Sequence, residues 1–289
     1  MPTDCISYQN SGYFSPLMND YLDEKTELHS LYHRFPTLEN FEEQILEKKT
    51  NFDYKNRSVL VSVLQKQYQD ITTSTLTKQN ITALSNSNTF TVTTGHQLNL
   101  FSGPLYFLYK IISTINLTKE LKAKYPTYNF VPIYWMATED HDFEEINYFN
   151  FKGKKFHWNR ESKGPVGRLS NEGLADFLEI YALEIGSSSN ANIIKKLFED
   201  SYVKHDNLAD ATRYLANELF GSSGLVILDA DHHELKRSFI PYIKDELLHQ
   251  SSFKAVTETI AAMKDYFVQV NPREINLFYI EDNLRERII

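Results

Sequence analysis

The chain has 289 residues, 42% hydrophobic and 24% charged, a balance that can bury a substantial core and form one large domain or two smaller ones. A formal charge of −8 at pH 7 and a pI near 5.6 exclude the broad positive field that nucleic acid or an anionic membrane surface requires, which leaves small molecules or another protein as partners. The start has no basic region followed by an apolar stretch, no run of about 18 apolar residues occurs, and the single cysteine, Cys5, excludes an intrachain disulfide or a cysteine-built zinc site. The sequence therefore reads as cytoplasmic and soluble, and the sequons beginning at Asn80 and Asn116 read as chance.

Residues 1–88 are rich in helix formers, and Leu60, Val63, Leu64 and Tyr68 have the spacing of one helical face, so this region is expected to be helical and to pack on the core. Asn86 to Asn88 break the pattern, and the β-branched and aromatic run Thr89 to Thr93 predicts a strand. A loop, TGHQLNLFSG, follows. Ser102 offers an N-cap and Pro104 a first-turn proline for a helix whose apolar positions run through Leu105, Leu108, Ile112 and Ile115 to Leu121. Lys124 to Tyr128 turn the chain into a second apolar strand, so residues 89–138 predict a β-α-β unit, hence a parallel pair and an α/β sheet. That strand ends in Glu139, Asp140, His141 and Asp142, with Glu145 close behind.

Ile146 to Phe151 alternates, and Lys152-Gly153-Lys154 turns it towards Phe156-His157-Trp158, which reads as an inserted hairpin. Residues 171–222 have helical spacing, interrupted at Gly186 to Ser189 and ended by Gly221. Leu225 to Leu228 resumes a buried strand, 233–249 and 253–268 read as helices, and Asn276 to Ile280 as a final strand. The division by pattern is thus 1–88 helical, 89–145 the first part of the core, 146–222 the inserted hairpin and helices, and 223–289 a return to the core.

Two constellations carry chemistry, and both fall where an open parallel sheet binds ligands, beyond the carboxyl ends of adjacent strands. In the first, Thr94-Gly95-His96-Gln97 leaves a strand and Ser102-Gly103-Pro104 opens a helix whose free amides favour phosphate or carboxylate. It has neither a Walker ending nor a GxGxxG fingerprint, and a Thr-Gly turn with a Ser-Gly-Pro cap is often plain punctuation. In the second, one histidine with one or two carboxylates could hold a divalent ion, or orient an amine and remove its proton; a solvated acidic turn is the plain alternative. Asp229, Asp231, His232 and His233 also follow a strand and could complete a metal site with His141, although acidic residues at a helix start are ordinary. Lys110 lies nearly two turns into its helix, which argues against direct contact with phosphate, and Cys5 lies too near the terminus to serve as a nucleophile.

Three segments together, TGHQLNLFSGPLYFLYK, VPIYWMATEDHDFEEINYF and PREINLFYIEDNLRERI, resemble the bacillithiol biosynthesis cysteine-adding family, BshC. The family carries a Thr-Gly-Gln-Gln-x-x-Leu-x-x-Gly-Pro-Leu-Tyr loop, a Trp-x-Ala-x-Glu-Asp-His-Asp-Phe strand end and an Arg-x-x-Asn-Leu-Phe strand in that order, and here the matches span roughly 90–289. The resemblance implies a nucleotidyltransferase-type Rossmann-like parallel sheet interrupted by connecting-peptide insertions, and, in whole family members, a coiled coil that forms a homodimer. It implies a ligase joining cysteine to the amino group of glucosaminyl-malate, the last step of bacillithiol assembly. Two departures stand out. His96 replaces the first glutamine of the loop and adds a group that titrates near neutrality. Family members also continue beyond the position of Ile289, so the coiled coil and a late basic loop for a triphosphate would lie outside this sequence.

A carboxylate is a poor electrophile, so amide formation needs activation, and ATP with magnesium is the expected cosubstrate, with no other metal or cofactor predicted. Under this reading the amides near Ser102 and Gly103 hold phosphate or carboxylate, while Thr94, Gly95, His96, Gln97 and Asn99 surround the nucleotide or sugar. Asp140 and Asp142 anchor the cysteine ammonium, His141 is the general base and Trp135 an apolar wall, with Glu139 and Asn276 as further binding residues. Arg273 and Asn276 match the family pattern, though a salt bridge and a turn contact explain them equally. The rival readings are a metal-dependent hydrolase built on Glu139 to Asp142 with Asp231 to His233, and a non-catalytic fragment that binds nucleotide or thiol sugar.

Overall fold

Residues 4–289 are described by a computed structural model, and contacts group them into two units: residues up to Glu47 with Pro241–Leu277 and Arg287–Ile289, and Lys48–Ile240 with Phe278–Glu286. In chain order the elements begin with five helices, α1 (Tyr8–Ser11), α2 (Pro16–Leu22), α3 (Phe41–Asn51), α4 (Tyr54–Gln67) and α5 (Thr75–Ala83). Next come β1 (Thr89–His96), α6 (Leu105–Lys124), β2 (Asn129–Met136), α7 (Phe143–Ile146), and the strands β3 (Tyr148–Phe151) and β4 (Lys154–His157). Then follow α8 (Leu174–Ile185), α9 (Ser189–Phe198), α10 (Leu208–Phe220), β5 (Val226–Asp229), α11 (His233–His249), α12 (Ser251–Met263), β6 (Phe278–Glu281) and β7 (Leu284–Arg287). No helix among the described residues is long and apolar enough to cross a membrane.

The larger unit is built on a parallel sheet in the order β1-β2-β5. β2 is central, and its run from Val131 to Tyr134 is buried without alternation because elements cover both faces of the sheet. The crossover from β1 to β2 is α6, as the β-α-β spacing predicts. Its buried face, however, is Phe107, Ile111, Thr114, Ile115, Thr118 and Leu121, with threonines filling core positions; Leu105 is 59% exposed and Ile112 41% exposed. The predicted face is thus rotated, because a pattern counted on the large aliphatics overlooks buried hydroxyls whose protons go to the helix's own carbonyls (Thr114 to Lys110, 2.9 Å; Thr118 to Ile115, 2.7 Å). The helix is capped by Pro104, not by Ser102, whose φ is +67°.

Strand β5 closes one edge of the sheet, and its outward amides are taken by the end of α4. The Ile227 N–H donates to the Tyr68 hydroxyl at 2.8 Å, while Gln67 accepts from the Asp229 N–H at 3.1 Å and donates to its carbonyl at 2.7 Å. A side-chain amide and a phenol therefore stand in for a neighbouring strand at these positions. The face of α4 carrying Val63, Leu64 and Tyr68 is buried as its spacing predicts. The buried guanidinium of Arg213, from α10, donates to the Gln67 carbonyl at 2.9 Å and lies 3.8 Å from Asp229. Leu208, Ala211, Leu215 and Ala216 of α10 join the same core as β2 and β5. That helix ends at Phe220, but Gly221 keeps right-handed backbone and the left-handed residue is Gly224.

β3 and β4 form the predicted antiparallel hairpin, turning through Lys152 and Gly153 with positive φ at both. The last strand departs from expectation: β6 pairs with β7 in a separate two-stranded sheet and does not extend the parallel one. Its charged termini (Glu281, Asp282, Arg285, Glu286) suit a solvated hairpin and would be unpaired in a buried sheet. In the smaller unit α12 stops at Met263, before the predicted 268, where Lys264 takes a positive φ. There Tyr266 donates to Asp20 at 2.6 Å, Arg34 donates to Gln44 and Glu47 at 3.0 and 2.7 Å, and the Glu246 carboxylate accepts the N–H groups of Ser252 and Asn276 at 2.8 and 2.9 Å.

Because Ile227 is fully buried, Tyr68→Phe leaves its amide without an acceptor while keeping the ring in the core. The expected loss is about 1–3 kcal/mol, read as a lower urea midpoint at unchanged slope; an unchanged midpoint would show that β5 finds another acceptor.

Candidate active site

Register places the two constellations side by side. His96, the last residue of β1, lies opposite Met136, the last of β2, and the Ala137 N–H donates to the His96 carbonyl at 3.0 Å, so both chains leave the sheet at the same level. A cleft of ≈ 750 Å³ opens there between the loop after β1, the start of α6 and the β3 strand. Of the expected site residues, Gly95, His96, Gln97, Asn99, Gly103 and Trp135 line it, and Trp135, 47% exposed, forms part of its wall.

Gln97 joins the constellations. Its amide nitrogen donates to Asp140 Oδ2 at 2.9 Å and to Glu145 Oε2 at 2.7 Å, so both amide protons are committed and only Oε1 can address a ligand. Asp140 Oδ1 accepts the N–H groups of His141 (2.7 Å) and Asp142 (3.3 Å), closing a tight turn over its own carboxylate. Burial alone would raise its pKa, but the bonds from Gln97 and these amides outweigh it and hold the carboxyl below the usual aspartate range.

Thr94, Ser102, Glu139, Asp140, His141 and Asp142 do not line the cleft. Thr94 pairs within β1 opposite Tyr134. Glu139 is bound by Lys236 at 2.8 Å, and Lys236 also holds Asp231, which receives a two-pronged contact from Arg168 (2.6 and 2.9 Å). Asp229 accepts the Thr138 hydroxyl at 2.6 Å. Among the described residues His141 and the Asp229 to His233 group are not gathered into one cluster of ligand atoms, and Asp229 and Asp231 have partners of their own. The three-residue grouping with ligand-type atoms close together among the described residues is Asp140, His141 and Asp142 alone. His141 lies between charges of both signs: its Nε2 is 3.3 Å from Arg285 and 3.4 Å from Asp142 Oδ1, and its Nδ1 is 3.5 Å from Asp140 Oδ1. Asn276 belongs to the other unit, where its N–H is held by Glu246.

The loop from β1 to α6 is shaped by three successive residues at positive φ: Phe101 (52°), Ser102 (67°) and Gly103 (50°). Only glycine fits at 103, because a Cβ there would fall 2.3 Å from Asn99 Cβ. The unusual backbone at Phe101 is held by its ring, packed against Phe149, Phe177, Tyr181, Phe198 and Tyr202, and by its N–H, which donates to the Tyr202 hydroxyl at 3.0 Å. The Gly103 N–H donates to the Leu100 carbonyl at 2.8 Å, so it is not the anion donor expected of it. The first amide of α6 to find an acceptor is that of Phe107, bonded to Pro104, which leaves the amides of Leu105 and Tyr106 at the cleft.

Lys110, set aside on sequence grounds, does line the cleft, its ammonium 5.2 Å from the Tyr106 ring centre. Counting turns along the axis placed it too deep, but Leu105, Tyr106 and Lys110 share the exposed face of the helix, and the cleft follows that face. Among the described residues His96 is the one imidazole on the cleft wall. Its Nδ1 lies 3.0 Å from the Gln97 carbonyl and so carries the proton, leaving Nε2 as an acceptor. Burial lowers its pKa, the Gln97 carbonyl opposes this, and Lys110 lowers it further.

The His96 ring should titrate below 6.5 by NMR, and Lys110→Gln should move its midpoint up. The unfolded chain takes up this proton at the higher pH, so folding loses stability as pH falls from 6.5 towards the folded midpoint. A midpoint at or above 6.5 would contradict the environment described.

Comparison with known proteins supplies the family. The model described as "Bacillithiol biosynthesis BshC, N-terminal Rossmann-like domain" matches residues 1–289. The protein named "Putative cysteine ligase BshC" of Flavobacterium johnsoniae is 76% identical over 289 residues, covering 100% of this chain and 55% of that protein. Its namesake in Flavobacterium psychrophilum is 68% identical over 290 residues with the same shares, and that of Bacillus cereus (strain AH820) is 28% identical over 288 residues, covering 91% of this chain and 52% of its own. The chain spans about half the length of the curated relatives it matches. A Rossmann-like sheet with the two motifs at adjoining strand ends, and a match along its whole length, make this chain a member of the BshC family, corresponding to its N-terminal Rossmann-like domain.

Proposed function

We propose that the cleft serves an amide-forming ligase that joins cysteine to the amino group of glucosaminyl-malate, completing bacillithiol. The observation that carries this reading is the Gln97 bridge, which ties the two family motifs into one site at the ends of β1 and β2. Membership in a family whose relatives are named cysteine ligases supports it, and the homodimer is proposed for the longer relatives.

ATP with magnesium is proposed as the source of activation on chemical grounds, because a carboxylate at neutral pH resists attack by an amine. The one cationic side chain on the cleft wall among the described residues is Lys110, and the two first-turn amides of α6 lie on the same helix. A single positive charge there suits one anionic group better than a triphosphate.

As the new C–N bond forms, the attacking amine must shed a proton to a neutral acceptor. His96 Nε2 is proposed for this role: it lies on the cleft wall, its tautomer is set by the Gln97 carbonyl, and Lys110 disfavours its charged form. His141, which does not line the cleft and is held among Asp140, Asp142 and Arg285, is proposed to position the acidic turn. Asp140 and Asp142 then act on the ammonium end of the substrate through Gln97 and the fold of that turn. The hydrolase reading is not favoured, since Asp229 and Asp231 are already bound to Thr138, Arg168 and Lys236.

Mass-spectrometric detection of cysteinyl product, with this chain and with a version extended to the length of its relatives, tests the reaction. In an active form His96→Gln should slow product formation by about 10²-fold and abolish the acidic limb of the pH profile, while His141→Gln keeps that limb. Absence of product from both lengths would refute the ligase reading; a limb that vanishes only in His141→Gln would return the base to His141.

A further inference from the structure

The cleft is chemically polarised. On the α6 side stand three donors, the Lys110 ammonium and the amides of Leu105 and Tyr106. Lys110 is half-buried, and it takes part in no ion pair among the described residues, an arrangement that favours an incoming anion. Elsewhere in the lining, beside Trp135, Tyr148 and Asn150, stand free acceptors. Gln97 has spent both amide protons and keeps Oε1, and Glu145 gives Oε2 to Gln97 while its Oε1 has no partner among the described residues. Both residues line the same cleft as Lys110.

A lone acceptor wall would invite any donor, and a lone lysine any anion. Together on one cleft of ≈ 750 Å³ they select a molecule that carries both charges. We propose that the cleft binds a ligand bearing an ammonium and a carboxylate, the ammonium on Glu145 Oε1 and Gln97 Oε1, the carboxylate on Lys110 and the first amides of α6. The proposal rests on the ligase reading for the identity of its ligand, since both substrates of that reaction share this chemistry: an α-amino acid zwitterion, and an amino sugar with carboxylates. It assigns to Lys110 and Glu145 the recognition of opposite ends of one molecule, roles that the acidic turn and the Ser102-Gly103 amides held in the sequence reading.

Calorimetric titration of the chain distinguishes the sources and the ends. One series uses cysteine, cysteamine, which lacks the carboxylate, and N-acetylcysteine, which lacks the ammonium; the other uses glucosaminyl-malate and the glucosyl analogue without the amine. For whichever source the cleft takes, the intact ligand should bind at least about tenfold more tightly than either truncated form. Lys110→Gln should erase the preference over cysteamine alone, and Glu145→Gln the preference over the amine-free or acetylated ligand alone, with thermal melting confirming that both variants fold. Loss of all ligands together, preferences that persist in the variants, or no binding of either source would overturn the proposal. Selective binding without cysteinyl product in the extended protein would leave the polarised cleft standing and remove the ligase reading; product formation without these preferences would do the reverse.

Discussion

Full-length parallel pairing of β1 with β2, from Thr89 opposite Asn129 to His96 opposite Met136, is the constraint on which the site depends. A strand advances about 3.3 Å per residue, so a slip of one position would carry Gln97 about that far from Asp140, beyond hydrogen-bond reach, and would turn the apolar face of each strand the wrong way. The register is held from both sides of β2. Burial of Val131, Ile133, Tyr134 and Met136 fixes its faces, and β5 locks its last four residues through pairs ending at Met136 opposite Asp229. What looks like a local contact at the cleft is therefore a property of the sheet.

The acidic cluster after β2 divides into two parts with different work. Glu139 faces Lys236 and the Arg168–Asp231 pair, which tie the strand end to the start of α11 and to the turn at 165–168. That turn sits hard against Thr138: the Gly167 N–H donates to its carbonyl at 2.9 Å, and a side chain at 167 would collide with its Cβ. Asp140 and Glu145 instead face Gln97. With Glu139 neutralised by built-in cations, Glu145 is the carboxylate of the cluster that lines the cleft together with Lys110.

Much of this was legible in the sequence because it follows from periodicity. The strand–helix–strand unit, the hairpin at 146–158 and the buried face of α4 rest on patterns that one polar position does not disturb. The motif placement was legible too, since parallel strands joined by one helix must release their ends on the same edge. Three things were not. The orientation of α6 depends on Thr114 and Thr118 entering the core, which hydrophobicity does not signal. The status of each group depends on bonds made in the fold: Gly103 is spent on Leu100 and Gln97 on two carboxylates, while His141 meets an arginine more than a hundred residues away. The pairing of β6 with β7 depends on charges that make the segment unfit for a buried sheet, a signal present in Glu281, Asp282 and Arg285 but outweighed by the apolar Leu277 to Ile280.

The three residues of positive φ at 101–103 are held in shape by rings on α8, α9 and the turn that follows. The entropy of ordering that loop is thus surrendered when the chain folds, and the donor wall stands ready before encounter. Affinity then becomes hostage to remote residues. Thinning the cage at Phe198 or Tyr202, neither of which lines the cleft, would let the loop relax and shrink the fraction of molecules able to bind, so that tightness of capture is inherited from aromatic packing on the far side of Phe101.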